Sequence, residues 1–280
     1  MTTNVAKDEE PARELKPTSL RIPFDIVKVL DNIAAEKEVS RSKVIIQILD
    51  RYASAYRIDY KALTPNGQDH YALIAPTLYG KTFLAKNLFV PVSQKRIIAV
   101  DPHREYDFKP LDVRYDRTAP ATQNPLFEMF SLSNIWSDVD RISRDLIRDL
   151  QSRDDSLSVK FDVVDPNAES MIVTETLKRM TQTSWNPETL LVVEEASKFD
   201  CRAVVSRGRH CGIQAVLVSQ YPLSDEVMSN VKVVLGPISS RLIENYDPLA
   251  ASAILDLREH EFLWEETKGS WHKFMLETSV

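Results

Sequence analysis

The sequence predicts an α/β protein with a mostly parallel sheet, preceded by a small strand-helix-helix domain. Three observations lead there. Short apolar runs at Tyr71–Ala75, Arg96–Val100, Leu190–Val193, Ile213–Ser219 and Val231–Leu235 are separated by longer, often helical segments, the alternation of buried parallel strands with crossover connections. The first run leads into Gly80-Lys81-Thr82 and then a helical pattern, so a phosphate-binding signature falls between strand and helix. Upstream of residue 60, apolar side chains recur mainly at helical spacing.

Residues 1–16 are polar, charged and aperiodic, and are read as a disordered arm. Residues 17–60 form the small domain. Thr18-Ser19-Leu20-Arg21-Ile22 alternates polar and apolar like a strand, and Pro23 ends it. Ile26, Leu30 and Ile33 then mark a helix to about Lys37. Ser40 is an N-cap for a second helix, whose apolar face is Val44, Ile45, Ile48, Leu49 and Tyr52. So small a unit cannot close a core alone and calls for a partner. A linker is expected at 61–70, where Pro65, Asn66 and Gly67 bring turn chemistry. The remainder, 71–280, is one α/β domain. Within it, Ile142, Leu146 and Leu150 predict a helix, and Glu259–Trp264 reads as a strand; the rest of 131–185 has no clear pattern.

Composition removes several classes. The 280 residues carry only six glycines, against roughly 20 at the usual ~7%, which excludes collagen-like and glycine-rich low-complexity chains. Two cysteines, Cys201 and Cys211, make no disulfide framework. With no signal-peptide core and no run of about 18 apolar residues, a cytoplasmic protein without membrane insertion is expected. The net charge of −6 does not describe a generally basic DNA-coating protein, although a local basic face is enough to bind nucleic acid.

The chemistry concentrates in two segments. Ala75-Pro76-Thr77-Leu78-Tyr79-Gly80-Lys81-Thr82 is a P-loop between strand and helix. Its backbone amides are expected to cradle phosphate, Lys81 to reach the β- and γ-phosphates of ATP, and the Thr82 hydroxyl to reach Mg²⁺. Ala75 stands where a first glycine is usual, and Leu78 and Tyr79 replace small residues, so their side chains must point away from the phosphates. The second segment, Leu190-Leu191-Val192-Val193-Glu194-Glu195, is an apolar strand ending in two carboxylates. Glu194 is expected to help hold Mg²⁺, and Glu195 to orient and deprotonate the attacking water. A chance Gly-Lys-Thr turn and a solvated acidic strand end are the bland alternatives. Their joint occurrence favours a P-loop NTPase core. His103, His210 and Cys211 have no ligand-like spacing and are read as structural.

Two resemblances extend this reading. Ser19-Leu20-Arg21-Ile22-Pro23 with the turn Val39-Ser40-Arg41-Ser42 resembles the ribbon-helix-helix DNA-binding family, over Thr18 to about Tyr56. The resemblance implies that two chains pair their strands and insert the ribbon in the major groove. Ser19 and Arg21 would face the bases, while Ser40, Arg41 and the helix N-terminus would hold phosphate. A helical hairpin docked on the main domain is the other reading, and residues 1–60 carry ten basic and ten acidic side chains.

The second resemblance covers roughly Tyr71 to Phe274. The turn Asp101-Pro102-His103-Arg104-Glu105-Tyr106, Asn124-Pro125-Leu126, Arg207-Gly208-Arg209-His210-Cys211-Gly212 and Ser219-Gln220 together resemble the HerA/FtsK superfamily of DNA-pumping ATPases. That implies ATP and Mg²⁺ as cofactors, Gln220 as a polar sensor of the γ-phosphate or water, and Arg207 or Arg209 as a finger reaching a neighbouring subunit's nucleotide. It also implies a ring, commonly a hexamer, around double-stranded DNA. The expected activity is an ATP-dependent DNA translocase, encoded by a virus or plasmid, for genome packaging or DNA transfer. The alternatives are a nucleotide-switched DNA-binding regulator or partition protein without motor activity, and a nucleotide-binding scaffold without turnover.

Overall fold

A computed structural model of the chain describes residues 22–56, 58–115 and 125–276. The chain divides into two compact units between Asp50 and Arg51, each described by itself.

The smaller unit contains α1 (Phe24–Glu36) and the first part of α2 (Arg41–Tyr56). Leu30, Ala34 and Val44 are its buried residues, with Ile22, Ile33, Val39 and Ile45 packed around them. The turn between the helices is closed by Val39 N–H donating to Ala34 O (3.0 Å) and by Glu38 in the left-handed region. Ser40 caps α2 as expected, its Oγ accepting from Lys43 N (3.3 Å). The expected apolar face is only partly covered: Val44 is buried, whereas Ile48 is 38% and Leu49 53% exposed, and outside that face Ile46 is 57% and Phe24 of α1 73% exposed. The strand expected at Thr18–Ile22, with Ser19 and Arg21, lies outside the described residues apart from Ile22.

The larger unit continues with β1 (Tyr71–Ile74), then α3 (Lys81–Leu84), which runs through a π-helical turn (Ala85–Phe89) into α4 (Val90–Val92). There follow β2 (Arg96–Val100), β3 (Lys109–Tyr115), α5 (Pro125–Gln151), β4 (Leu157–Val163), α6 (Pro166–Met180), β5 (Thr189–Val193) and α7 (Arg202–Arg207). The last elements are β6 (Ile213–Ser219), α8 (Asp225–Ser229), β7 (Lys232–Leu235), α9 (Pro248–Ala253), β8 (Glu261–Thr267) and β9 (Ser270–Met275). Among the described residues, nine strands form one sheet in the order β3-β4-β2-β5-β6-β1-β7-β8-β9. Every pairing from β3 to β7 is parallel, and β8 and β9 add antiparallel. The expected α/β class with a mostly parallel sheet is therefore the class observed.

All residues of β1, β2, β5 and β6 are buried, which is why these strands read as continuous apolar runs rather than alternations. Successive side chains serve opposite layers. Leu191 and Val193 join the cluster containing Leu146, Leu150, Ile172 and Leu177, whereas Leu190 and Val192 join the one containing Leu84, Phe89, Phe262 and Phe274. The stretch without clear pattern resolves into most of α5, β4 and α6. No helix among the described residues is long and apolar enough to cross a membrane.

Residues 61–70, expected as a linker, are instead bonded into the larger unit. Lys61 N donates to Lys273 O (2.9 Å), Trp264 Nε1 donates to Lys61 O (3.0 Å), and Leu63 is buried. Asn66 Oδ1 accepts from Gln68 N and Asp69 N (3.1 and 2.8 Å). Asx-turn chemistry is the same whether the turn is packed or free, so it marks a turn and not a domain boundary.

Candidate nucleotide-binding and catalytic site

The register of the central strands assembles the site. β6 lies between β1 and β5, with Ile74 opposite Ser219 and Val193 opposite Leu217, while Val100 of β2 stands opposite Val193. Because these strands are parallel, the segments that follow them emerge at one edge of the sheet. Those segments are the P-loop after β1, the Asp101–Tyr106 turn after β2, Glu194-Glu195 after β5 and Gln220 after β6. They line one cleft of about 290 Å³, to which Thr77, Gly80, Lys81, Thr82, His103, Glu105, Glu194, Glu195 and Gln220 contribute.

The loop is built to carry its bulky residues. Gly80 takes φ +87° and leads directly into α3, a backbone shape that a side chain would strain. Leu78 also has positive φ and is 97% exposed, and it lines the cleft, so its side chain is not turned away from it as expected. Tyr79 turns the opposite way: its hydroxyl donates to Arg258 O (2.6 Å) and its ring meets Phe262 edge-on. Ala75 is accommodated where Gly236 leaves room, since a Cβ on Gly236 would stand 2.6 Å from Ala75 Cβ. Lys81 Nζ donates to Pro76 O (2.7 Å) across the loop, and the first-turn N–H groups of the helical run from Lys81 have no carbonyl of their own helix to bond.

The two carboxylates occupy different surroundings. Glu194 is 7% exposed; Tyr106 Oη donates to its Oε1 (2.7 Å), and the Thr82 hydroxyl bonds it as well. Burial pushes its carboxyl up to about 7, against the pull of those two hydrogen bonds. Glu195 stands in the left-handed region (φ 54°). Lys198 Nζ pairs with its Oε2, and His103 Nε2 lies 3.4 Å from Oε1. Burial, the largest influence, raises its pKa, but the bonds from Lys198 and His103 together outweigh it and hold the carboxyl below its ordinary value. Burial lowers Lys81, against the attraction of Glu194 and Glu105.

The turn after β2 is held by Asp101, a buried carboxylate accepting from Glu105 N (2.9 Å), Tyr106 N (3.0 Å) and Ser158 Oγ (2.8 Å). It presents His103 and Glu105 to the cleft and Tyr106 to Glu194. His103, read from sequence as structural, is a cleft residue in contact with Glu195. Glu105, Tyr106 and Lys198 received no role from sequence. Lys198 alone had a local signal, its position three residues after Glu195.

The residues present fit a divalent cation. Thr82 and Glu194 offer adjacent hard oxygen donors, the set that suits Mg²⁺. Three carboxylates facing one lysine would also repel a polyphosphate that brought no cation.

The arginines do not join this cleft. Arg209 pairs with Asp69 (3.5 Å), just before β1, and Arg207 is exposed at the end of α7, before β6. Both lie toward the edge where the strands begin, roughly 13 Å or more from the edge where they end, at ~3.3 Å per residue over four residues. Arg41 is engaged within the small unit, its Nε and Nη2 donating to the Asp31 carboxylate (2.5 and 2.8 Å).

No protein-family model matches the chain, and no curated protein matches it. Solved structures with a similar trace include the genome packaging NTPase B204 from Sulfolobus turreted icosahedral virus 2 in complex with ATP-gammaS (18% identity, 76% of this chain and 100% of that one, TM-score 0.48). The pCW3 conjugation coupling protein TcpA, as a monomer with ATPgS, matches at 11% identity over 78% of this chain and 64% of that one, with TM-score 0.44. The cytoplasmic domain of the Thermomonospora curvata type VII secretion ATPase EccC matches at 13% identity over 77% and 26%, with TM-score 0.40. At such levels the likenesses carry no argument about chemistry, and the reading of the cleft rests on this chain's own residues.

Proposed function

We propose that the chain hydrolyses ATP and couples that hydrolysis to movement along double-stranded DNA, for genome packaging or DNA transfer in a virus or plasmid. The observation that carries the ATPase reading is the convergence of Lys81, Thr82, Glu194, Glu195 and Gln220 on one cleft from three parallel strands. In this reading the loop amides and Lys81 bind the β- and γ-phosphates, and Gln220 orients water or the γ-phosphate. Glu195 accepts the water's proton as the water oxygen bonds to the γ-phosphorus and the bond to the β–γ bridging oxygen breaks, releasing ADP. Thr82 and Glu194 would hold Mg²⁺, which when bound would supply positive charge against the phosphate oxygens.

The DNA part of the proposal rests on the resemblances. The partly uncovered apolar faces of α1 and α2 support pairing of two N-terminal segments, with Ser19, Arg21, Ser40 and Arg41 on DNA. A ring, hexameric in the simplest case, gives Arg207 or Arg209 a role: too far from their own cleft, either would serve a neighbour's nucleotide as a planar, fixed donor set. The second reading, a nucleotide-switched DNA-binding regulator, is favoured by one observation: both Glu195 oxygens are engaged by donors of the same chain.

ATP hydrolysis measured with and without double-stranded DNA separates the two. DNA-stimulated turnover reduced at least about 100-fold by Lys81→Ala and by Glu195→Gln supports the motor. A wild type that binds ATP and never turns it over overturns it.

A further inference from the structure

We propose that Lys198 is a latch that holds Glu195 out of reaction, so that hydrolysis waits on its release; this rests on reading Glu195 as the general base. Glu195 sits in the left-handed region (φ 54°) and opens a one-turn helix, Ala196–Lys198. That turn brings Lys198 back onto its own starting residue: Lys198 N donates to Glu195 O (2.9 Å), and Nζ pairs with Oε2. The other oxygen, Oε1, faces His103 Nε2 at 3.4 Å. A general base works only if a lone pair is aimed at the water it deprotonates, and a charge-assisted hydrogen bond is the strongest competitor for that lone pair.

The latch has somewhere to open to. Lys198 also lines a second depression, about 360 Å³, next to the cleft, together with Ser197, Phe199, Asp200, Arg202 and Leu223. The Arg202 guanidinium there is already bonded to the Asp200 carboxylate (2.6 and 2.9 Å). The Lys198 side chain is 59% exposed and that of Glu195 24%, so the ammonium moves through solvent and no core contact is broken. The pair is local, three residues apart, and its removal leaves the sheet and both hydrophobic layers untouched.

The test uses the full chain and three variants, Lys198→Ala, Lys198→Arg, and Lys198→Ala combined with Glu195→Gln. Steady-state ATP hydrolysis is measured without and with double-stranded DNA, and binding is followed with a fluorescent ATP analogue. Lys198→Ala is expected to raise kcat without DNA about two- to fivefold, the range a half-exposed ion pair commands, with KM unchanged and less DNA stimulation. Lys198→Arg restores the low rate, and Glu195→Gln abolishes the gain. A Lys198→Ala rate equal to or below wild type, with analogue binding intact, overturns the latch whether or not the wild type turns over. A wild type that does not bind the analogue fails earlier and overturns the nucleotide reading, and the latch with it.

Discussion

Gly236→Ala is the sharpest test of how this loop accommodates its unusual residues. Gly236 follows β7 and is bonded to the end of β1, its N–H donating to Ile74 O (2.8 Å). A Cβ there would stand 2.6 Å from Ala75 Cβ and 2.9 Å from Tyr79 Cδ1. Neither neighbour yields easily. Ala75 Cβ is fixed to a fully buried backbone, and the Tyr79 ring is held by its hydroxyl on Arg258 O (2.6 Å) and by Phe262. Overpacking of this kind costs about 1–3 kcal/mol, and with two short contacts we expect about 2 kcal/mol. Because both neighbours belong to the phosphate loop, ATP affinity should also fall about tenfold, or ~1.4 kcal/mol.

Ala75→Gly removes the shorter contact and leaves the Tyr79 one. The double variant should therefore recover about 1 kcal/mol relative to the sum of the singles, a coupling of the size seen between touching residues. Urea unfolding of the four proteins and titration with an ATP analogue measure both quantities. Additive effects, or a Gly236→Ala protein as stable as wild type, would refute the reasoning.

Two further predictions concern stability. His70 is fully buried and its Nδ1 accepts from Ala215 N (2.9 Å), and burial lowers its pKa to about 4 from an ordinary 6.5. A depressed folded-state pKa means that this stability is present above pH 6.5 and is lost as pH falls toward 4, by about 2 kcal/mol between pH 7 and pH 5. A His70→Gln variant with the same pH slope in urea unfolding would contradict this. Tyr106→Phe removes the hydroxyl that donates to buried Glu194 (2.7 Å) and should cost about 1–2 kcal/mol in the same assay; an unshifted midpoint would show that the bond contributes nothing.

The strands that carry the site were legible because each is buried on both faces: β1, β2, β5, β6 and β7 all fall within a residue or two of the expected apolar runs. β3 was not legible, being an edge strand with charged residues and Pro110 whose faces alternate between exposed and half-buried, the composition that protects a sheet edge. β4 and α6 were hidden by mixed polar and apolar residues whose burial depends on the neighbours they meet. In the site, Lys81, Thr82, Glu194 and Glu195 are legible because a strand followed by a charged or hydroxyl residue is a local pattern, whereas Gln220 enters only through the resemblance that Ser219-Gln220 helps to carry. Tyr106 and His103 acquire their neighbours through the sheet, across 88 and 92 positions of sequence, and no local pattern reports contacts of that range.

The same division holds for the scarce glycines. Gly80 was marked as needed by the loop motif alone, since its neighbours Lys81 and Thr82 announce the backbone it must adopt. Gly236 carried no such mark; only when β7 is laid against β1 does its missing Cβ become the space that Ala75 and Tyr79 occupy. The sequence alone determined the α/β class, the order of the buried strands along the chain and the Lys81, Thr82, Glu194 and Glu195 of the cleft, because those follow from local hydrophobicity and spacing. Strand order in the sheet, the unequal surroundings of Glu194 and Glu195, and the Lys198 pairing were decided only by tertiary structure, because burial and approach distance are set by residues far away in the chain.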